Sequence, residues 1–305
     1  MANLTRLTNT TLNRDVLQNL QTLTSKQHAL VKAQATGQNV HAISQDPAAI
    51  SQAIHYHTEK RNLIQMNRNC VRVDSFLNIT HSTLKSIYEL LERGQELAAY
   101  SSSEVNRNNL FAYAQEVEGL VNQLALQINQ RYVTKYLFSA SKAYESPFVM
   151  EKDENGTIQK VAYQGGKENP AEIFVSEGTK ESGFLEAEKT QKLLDLMQHM
   201  LDLRNSLKEG NIDNVKHVQK ALTVDEYNLN QSMSSLAARM QKMKIVNNNN
   251  NNEFTSVERN LSNLFDIDLP TTAAGIKNIE HILKMSLKVS SILLNNTNSL
   301  MDHLH

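Results

Sequence analysis

Residues 63–98 read LIQMNRNCVRVDSFLNITHSTLKSIYELLERGQELA. Within this stretch Leu63, Met66, Cys70, Val73, Leu77, Thr80, Leu84, Ile87, Leu91, Gly94 and Ala98 recur in an unbroken three–four alternation. That spacing keeps one side of a helix against a partner helix. Phe76, Leu90 and Leu97 widen the stripe. Just upstream, Asp46-Pro47 supplies a favoured N-cap and a favoured first helical residue. No further proline occurs up to residue 100. The pattern predicts one helix from about 46 to 100, roughly 80 Å long at about 1.5 Å per residue. Such a length belongs to a rod, not to a globular helix.

Outward from this helix the chain stays helical in pattern. Tyr100-Ser101-Ser102-Ser103 interrupts it, and Leu110, Tyr113, Val117, Leu120 and Leu124 resume it, with Val121 and Ile128 beside them. A short polar break between two long helices predicts an antiparallel hairpin. Residues 141–183 differ: they hold five of the ten glycines and two of the four prolines. Between these lie β-prone pieces at Pro147–Met150, Thr157–Tyr163 and Ile173–Val175, with Asp153-Glu154-Asn155-Gly156 as a hairpin turn. The expectation is a small β-rich insertion facing solvent. Helix returns from Leu185 to Leu207 and stops at Glu209-Gly210-Asn211. A short helix to about Leu222 is expected next, then a second heptad run: Leu229, Met233, Leu236, Met240, Met243, Phe254, Val257, Leu261 and Leu264. Asn247–Asn252 interrupts that run but preserves its phase, which favours a continuous, weakened helix over a loop although Asn is a poor helix former. Asp268-Leu269-Pro270 breaks the chain before a last amphipathic helix carrying Ile276, Ile279, Leu283, Leu287, Leu294, Leu300 and Leu304. Leu12, Val16, Leu20, Leu23 and Leu30 form a matching N-terminal helix. The two ends are expected to pair with each other or with neighbouring subunits.

The fold class is therefore mainly α: a long antiparallel coiled-coil or helical-bundle rod with a small β-rich insertion and amphipathic terminal helices. The expected segments are an N-terminal assembly helix (1–45), the first half of the rod (46–140), the insertion (141–183), the second half of the rod (184–265) and a C-terminal assembly helix (266–305). Composition agrees. The chain has 305 residues, 10 Gly, 4 Pro and no Trp, too few turn residues for a sandwich or barrel. Net charge is −1, without the concentrated positive face that nucleic-acid binding requires. No apolar run is long enough to span a membrane, and the first twenty residues lack the apolar core of a signal peptide.

Catalytic and metal sites are expected to be absent. His55 and His57 are two apart, on different sides of a helix, so they do not share a metal. His303 and His305 belong to the chain end. Cys70, the only cysteine, occupies a seam position and reads as a small buried hydrophobe. It excludes an intramolecular disulfide and a cysteine-based zinc cluster. Gly165-Gly166 lacks phosphate-loop spacing. The Glu-x-x-His pairs that a metal enzyme on a helical bundle needs are missing.

A family resemblance then emerges. Thr8-Asn9-Thr10, Leu12 to Leu20, Gly37 and Ser44-Gln45-Asp46-Pro47-Ala48-Ala49 resemble the N-terminal signature of the flagellin superfamily, closest to its hook–filament junction type. Arg131-Tyr132 with Tyr136–Ala140, Tyr163–Gly166, Leu207–Asn211, Ser235–Arg239 and Ser262–Asp268 resemble later motifs of that family, in order along the chain. Ala replaces the family's glycine at 140 and 237. The resemblance implies a structural, non-enzymatic component of the bacterial flagellum, joining hook to filament by self-association in a ring and using no cofactor. Its terminal helices would line the axial tube through Leu12, Val16, Leu20, Leu23, Leu30, Ile276, Ile279, Leu283, Leu287, Leu294 and Leu300, ordering on assembly. Implied partners are hook-associated protein one, flagellin, an export chaperone and the type III export apparatus, with an extracellular address reached without a cleaved signal peptide. No nucleic acid, small-molecule substrate or membrane insertion is implied. The alternatives are a filament subunit or a non-flagellar coiled-coil adaptor or type III secreted protein.

Overall fold

Six helices and three small hairpins make up the described residues in a computed structural model that covers 9–38, 47–102, 109–154 and 156–302, with the side chains of 9–13 and 293–302 not described. The Asp46 cap, Ser44-Gln45, Ser103, Asn155, His303, Leu304 and His305 lie outside the described residues. The elements are α1 (Asn9–Thr36), α2 (Pro47–Ser101), α3 (Leu110–Ile128), β1 (Arg131–Tyr132), β2 (Lys135–Tyr136), β3 (Phe148–Lys152), β4 (Ile158–Tyr163), β5 (Ile173–Ser176), β6 (Thr179–Glu181), α4 (Ala187–Glu209), α5 (Ile212–Phe265) and α6 (Leu269–Asp302). The architecture is mainly α, with small β pieces between α3 and α4. The chain separates into two compact units, Met1–Lys60 with Thr255–His305 and Arg61–Phe254.

In the Arg61–Phe254 unit the heptad positions of α2 are the core. Leu63, Cys70, Val73, Leu77, Thr80, Leu84, Ile87, Leu91, Gly94 and Ala98 are buried, and Met66 is half-buried. Side-chain pairs give the direction of the neighbours. Arg93 bonds Glu116 and Thr83 bonds Gln130, so α3 runs antiparallel to α2. Tyr88 bonds Glu226 and Cys70 bonds the Met243 carbonyl, so α5 is antiparallel to α2 as well. Lys189 to Ser235 and His199 to Asp225 set α4 antiparallel to α5. Gly94 admits α4 closely: a Cβ there would lie 2.8 Å from the Met200 sulfur. Where α4 ends, Gly210 takes φ 71 and Asn211 N–H donates to the Ser206 carbonyl. This closes the orphan carbonyls in the left-handed manner a C-terminal glycine permits.

Helix α5 differs from expectation in one respect. It is continuous from Ile212 to Phe265, with no stop near Leu222. No Gly or Pro lies inside it to break the ladder. Asp225 is accommodated mid-helix because its carboxylate turns inward to His199, 2.6 Å away. Burial pushes the Asp225 carboxyl above its usual range, against the opposing pull of His199. The asparagine run is helical throughout, and Asn250 falls at the buried heptad position. Its amide donates to the Val175 carbonyl of β5 at 2.7 Å, while Asn67 donates to Asn251 at 2.9 Å.

The three hairpins are antiparallel pairs, β1–β2, β3–β4 and β5–β6. Gly156 at φ 80 turns the second. Most of the hairpins' positions are exposed or half-buried, and one side packs inward on the helices. Phe148, Ile158, Val161 and Val175 join the helical core; Ile158 and Val161, three apart on β4, share a side because the β3–β4 register shifts by a bulge between them. Side chains from the helices tie down strand backbone. Asn129 both donates to and accepts from Phe148. Asn69 donates to the Phe174 carbonyl. Fully buried Arg204 donates to the Ile158 carbonyl at 2.6 Å and lies beside Asn205 Oδ1. Arg239 holds the carbonyls of Ser182 and Phe184 and pairs with Glu181. Burial pushes Glu181 upward, but Lys242 and Arg239 outweigh it and hold the carboxyl below its usual range. Ala140, where the resembling family has glycine, keeps a left-handed φ of 49, whereas Ala237 lies in regular helix.

Three measurements follow from this packing. Ala140→Gly relieves a conformation that costs an L-residue about 1–2 kcal/mol, partly offset by greater freedom of the unfolded chain. A net gain of about 0.5–1 kcal/mol is expected in urea unfolding. Asn250→Ala strands the Val175 carbonyl and costs about 1–3 kcal/mol, while exposed Asn248→Ala raises stability by a few tenths of a kcal/mol through helix propensity. Equal effects at the two positions would contradict the buried role of Asn250. The native Asp225 carboxyl holds its proton to higher pH than in the unfolded chain, where it titrates near pH 4. Its contribution is fully present below that value and is lost as pH rises through the native one. Urea melts between pH 4 and 7 should therefore move against wild type relative to Asp225→Asn as pH rises.

Candidate assembly interface

The second unit brings the two ends of the chain together. Helices α1 and α6 pack against each other. On α1 the less exposed positions are Val16, Leu20, Leu23, Gln27, Leu30 and Ala33; on α6 they are Ile276, Ile279, Leu283, Ser286 and Ser290. Each set repeats at three–four spacing, which marks the side along which the helices meet. Leu30 approaches Gly275, where an added Cβ would come within 3.5 Å of its Cδ1. Among these residues only Ala33 and Ile276 are buried, each 8% exposed. A two-helix contact covers one side of each helix and leaves the rest to solvent.

Two sequence motifs meet at the end of this pair. Gly37 ends α1 at φ 71, and its carbonyl accepts from the Ile267 N–H at 3.2 Å. Gln38 bridges to Asp266 in antiparallel fashion. Asp268 caps α6, accepting from the Thr271 hydroxyl at 2.6 Å and backbone N–H at 3.4 Å. Pro270 lies in the first turn, where its missing N–H costs nothing.

The residues singled out by sequence are distributed unevenly. Val16, Leu20, Leu23, Leu30, Ile276, Ile279 and Leu283 lie along the α1–α6 contact. Leu287 lies on the exposed side of α6. The side chains of Leu12, Leu294 and Leu300 lie outside those described. A second apolar line went unread. Ile282, Met285, Val289 and Ile292, exposed by 42%, 59%, 56% and 51%, step at three–four–three along α6. Their spacing was visible in the sequence, but it runs parallel to the Ile276–Leu283 stripe, so the two merged into one broad amphipathic side. Leu17 and Val31 add exposed apolar surface on α1.

The Cys70 thiol is buried, donates to the Met243 carbonyl, and is pushed above its usual range by burial and by Asp74. This opposes thiolate formation. His55 and His57 are exposed on α2. Among the described residues no group of three His, Cys, Asp or Glu side chains is placed to hold a metal ion, and no helix is long and apolar enough to cross a membrane.

Residues 10–143 match the family model of the bacterial flagellin N-terminal helical region. A comparison with curated proteins by sequence gives no match. Solved structures share the fold. The chain is similar to Bacillus cereus FlgL at 18% identity and TM-score 0.57, over 68% of this chain and 99% of that one. A putative flagellar hook-associated protein from Vibrio parahaemolyticus is similar at 13% identity and TM-score 0.58, over 73% and 100%. Flagellar hook associated protein-3 from Legionella pneumophila is similar at 12% identity and TM-score 0.54, over 68% and 98%.

Leu283→Asp places a charge in the α1–α6 contact and is expected to weaken it by on the order of 1–2 kcal/mol, about half the value of a fully buried leucine. Hydrogen exchange should then speed up in both α1 and α6 while α3 and α4 keep their protection. Protection unchanged in α1 would contradict the pairing.

Proposed function

We propose that this chain, which carries the flagellin N-terminal helical region and shares the fold of hook-associated proteins, is a structural protein of the bacterial flagellum at the junction between hook and filament. The observation that carries this reading is the joining of the two chain ends. The Ile267 N–H before α6 donates to the Gly37 carbonyl at the end of α1, α1 pairs with α6, and an apolar line on α6 is left uncovered. A monomer gains nothing from such a line, whereas an assembly buries it at about 25 cal/mol per Å².

The terminal helices, residues 1–45 and 266–305, act as the assembly elements in this reading. Val16, Leu20, Leu23, Leu30, Ile276, Ile279 and Leu283 hold the pair together. Leu287, with Ile282, Met285, Val289 and Ile292, faces neighbouring subunits, and Leu12, Leu294 and Leu300 extend the contact. The partners are further copies in a ring, hook-associated protein one on the hook side and flagellin on the filament side. Before assembly an export chaperone covers the α6 face, and the chain leaves through the type III export apparatus. The buried thiol and polar surface suit a passive structural role. The match to a flagellin model favours a second reading, a filament subunit.

Deleting the gene separates the two. Electron microscopy of bare hooks, with flagellin shed into the medium, is the expected outcome for a junction protein. Bare hooks with no flagellin anywhere would make the chain the filament subunit. Normal filaments would point to a redundant paralogue or to a role outside the flagellum. Ile282→Asp with Met285→Asp should leave the α1–α6 pair intact yet abolish incorporation. Normal incorporation of that variant would overturn the assigned face.

A further inference from the structure

In the Arg61–Phe254 unit a cavity of about 380 Å³ opens beside α2. Its floor is aromatic, with Phe76 packed at 5.1 Å on Phe184 and at 5.0 Å, edge-on, against Tyr132. The wall behind is closed: a Cβ on Gly183 would lie 2.7 Å from the Phe76 Cβ. Three cations border the opening, Arg72, Lys135 and Lys142, against one carboxylate, Glu145. Glu145 is already 3.4 Å from the Lys142 ammonium. Arg72 and Lys135 therefore bring two positive charges with no carboxylate partner among the described residues.

Lys135 is also held in place. Its ammonium lies 5.6 Å from the Tyr144 ring centre and 5.7 Å from that of Phe184. Ring contacts steady the charge but do not use its N–H donors. Ala140, with its left-handed backbone, lines the same opening. An apolar floor beneath two cations, one of them held by aromatic rings, suits carboxylates that alternate with apolar side chains.

The chain itself carries such a segment, Phe265-Asp266-Ile267-Asp268-Leu269, in a stretch free of Lys and Arg from 260 to 276. Asp266 and Asp268 are exposed, and Leu269 is 52% exposed. The carboxylates accept hydrogen bonds from Ser262 and Thr271 and keep further acceptor capacity. We propose that the Arg72–Lys135 cavity receives the Phe265–Leu269 segment of a second copy of this chain. A contact between two different patches is head-to-tail and suits a ring or helical array. The inference rests on the assembly reading above.

Cross-linking tests it. A Lys142→Cys chain and a Leu269→Cys chain are co-expressed in cells lacking the native protein, so that any disulfide between the new cysteines joins two copies. Chains with only the buried Cys70 serve as blank. The expected result is a disulfide-linked dimer in isolated hook–filament structures, reduced at least about tenfold when the Lys142→Cys chain also carries Arg72→Gln and Lys135→Gln. Thermal melting of that variant checks that it is folded, and Arg72→Lys with Lys135→Arg should restore the product. No dimer although both chains are present in the flagella, or a yield unchanged by charge removal, would overturn the contact. Chains absent from the flagella would overturn the assembly reading itself, a failure seen separately by immunoblot before any oxidation.

Discussion

Burial of the Leu63–Ala98 face of α2 is the constraint on which the rest of the Arg61–Phe254 unit depends. Ten of its eleven heptad positions are buried, so α3, α4 and α5 must each cover part of that side. At about 25 cal/mol per Å² this apolar burial is the main favourable term available to a chain with no disulfide and no metal cluster among its described residues. On the seam the Cys70 thiol donates to the Met243 carbonyl, whereas the buried Thr80 hydroxyl has no hydrogen-bond partner among the described residues. The close approach of α4 needs the missing side chain of Gly94.

The β hairpins depend on that helical frame. Two-stranded hairpins are marginal on their own in water. Here they share the core through Phe148, Ile158, Val161 and Val175, and their edges are bonded by side chains from helices. Asn69 and Asn250 satisfy neighbouring carbonyls of β5, Arg204 satisfies β4, and Arg239 satisfies the segment after β6. A buried guanidinium is costly unless its donors are used, and burial accordingly pulls Arg204 below its ordinary value. These four side chains bind the insertion to the helices of the unit. The same logic accounts for an asparagine run inside a helix. The poor helix former is kept in register by flanking apolar positions, and at 250 its amide has work that an apolar side chain could not do.

The α1–α6 unit obeys a different balance. Two helices meeting along one side leave most positions wet, so the pair is held by few buried groups and by backbone bonding where α1 ends and α6 begins. What is left uncovered on α6 is as regular as what is covered. A surface of that kind acquires its function from what packs on it, which is why the flagellar reading rests on the chain ends and not on a chemical centre.

Periodicity gave most of the helices and their antiparallel hairpin, and Gly210 gave the end of α4, because heptads and a C-terminal glycine act locally. The order of motifs pointed to the family for the same reason: short signatures survive where overall identity does not. Other features required three dimensions. Arg204 and Arg239 look like surface residues in one dimension, and Asn250, although on the heptad seam, carries no sign of a partner, since nothing local says that a distant strand will present a carbonyl to them. The unbroken course of α5 past Leu222 has no local marker, since the apolar heptad positions pause between Leu222 and Leu229 and the inward pairing of Asp225 with His199 exists only in three dimensions. On α6, two apolar lines one step apart are a single broad stripe in sequence. Only packing against α1 decided that Ile276, Ile279 and Leu283 turn inward while Ile282, Met285, Val289 and Ile292 remain outside, because a helix has one side per neighbour and the neighbour chooses it.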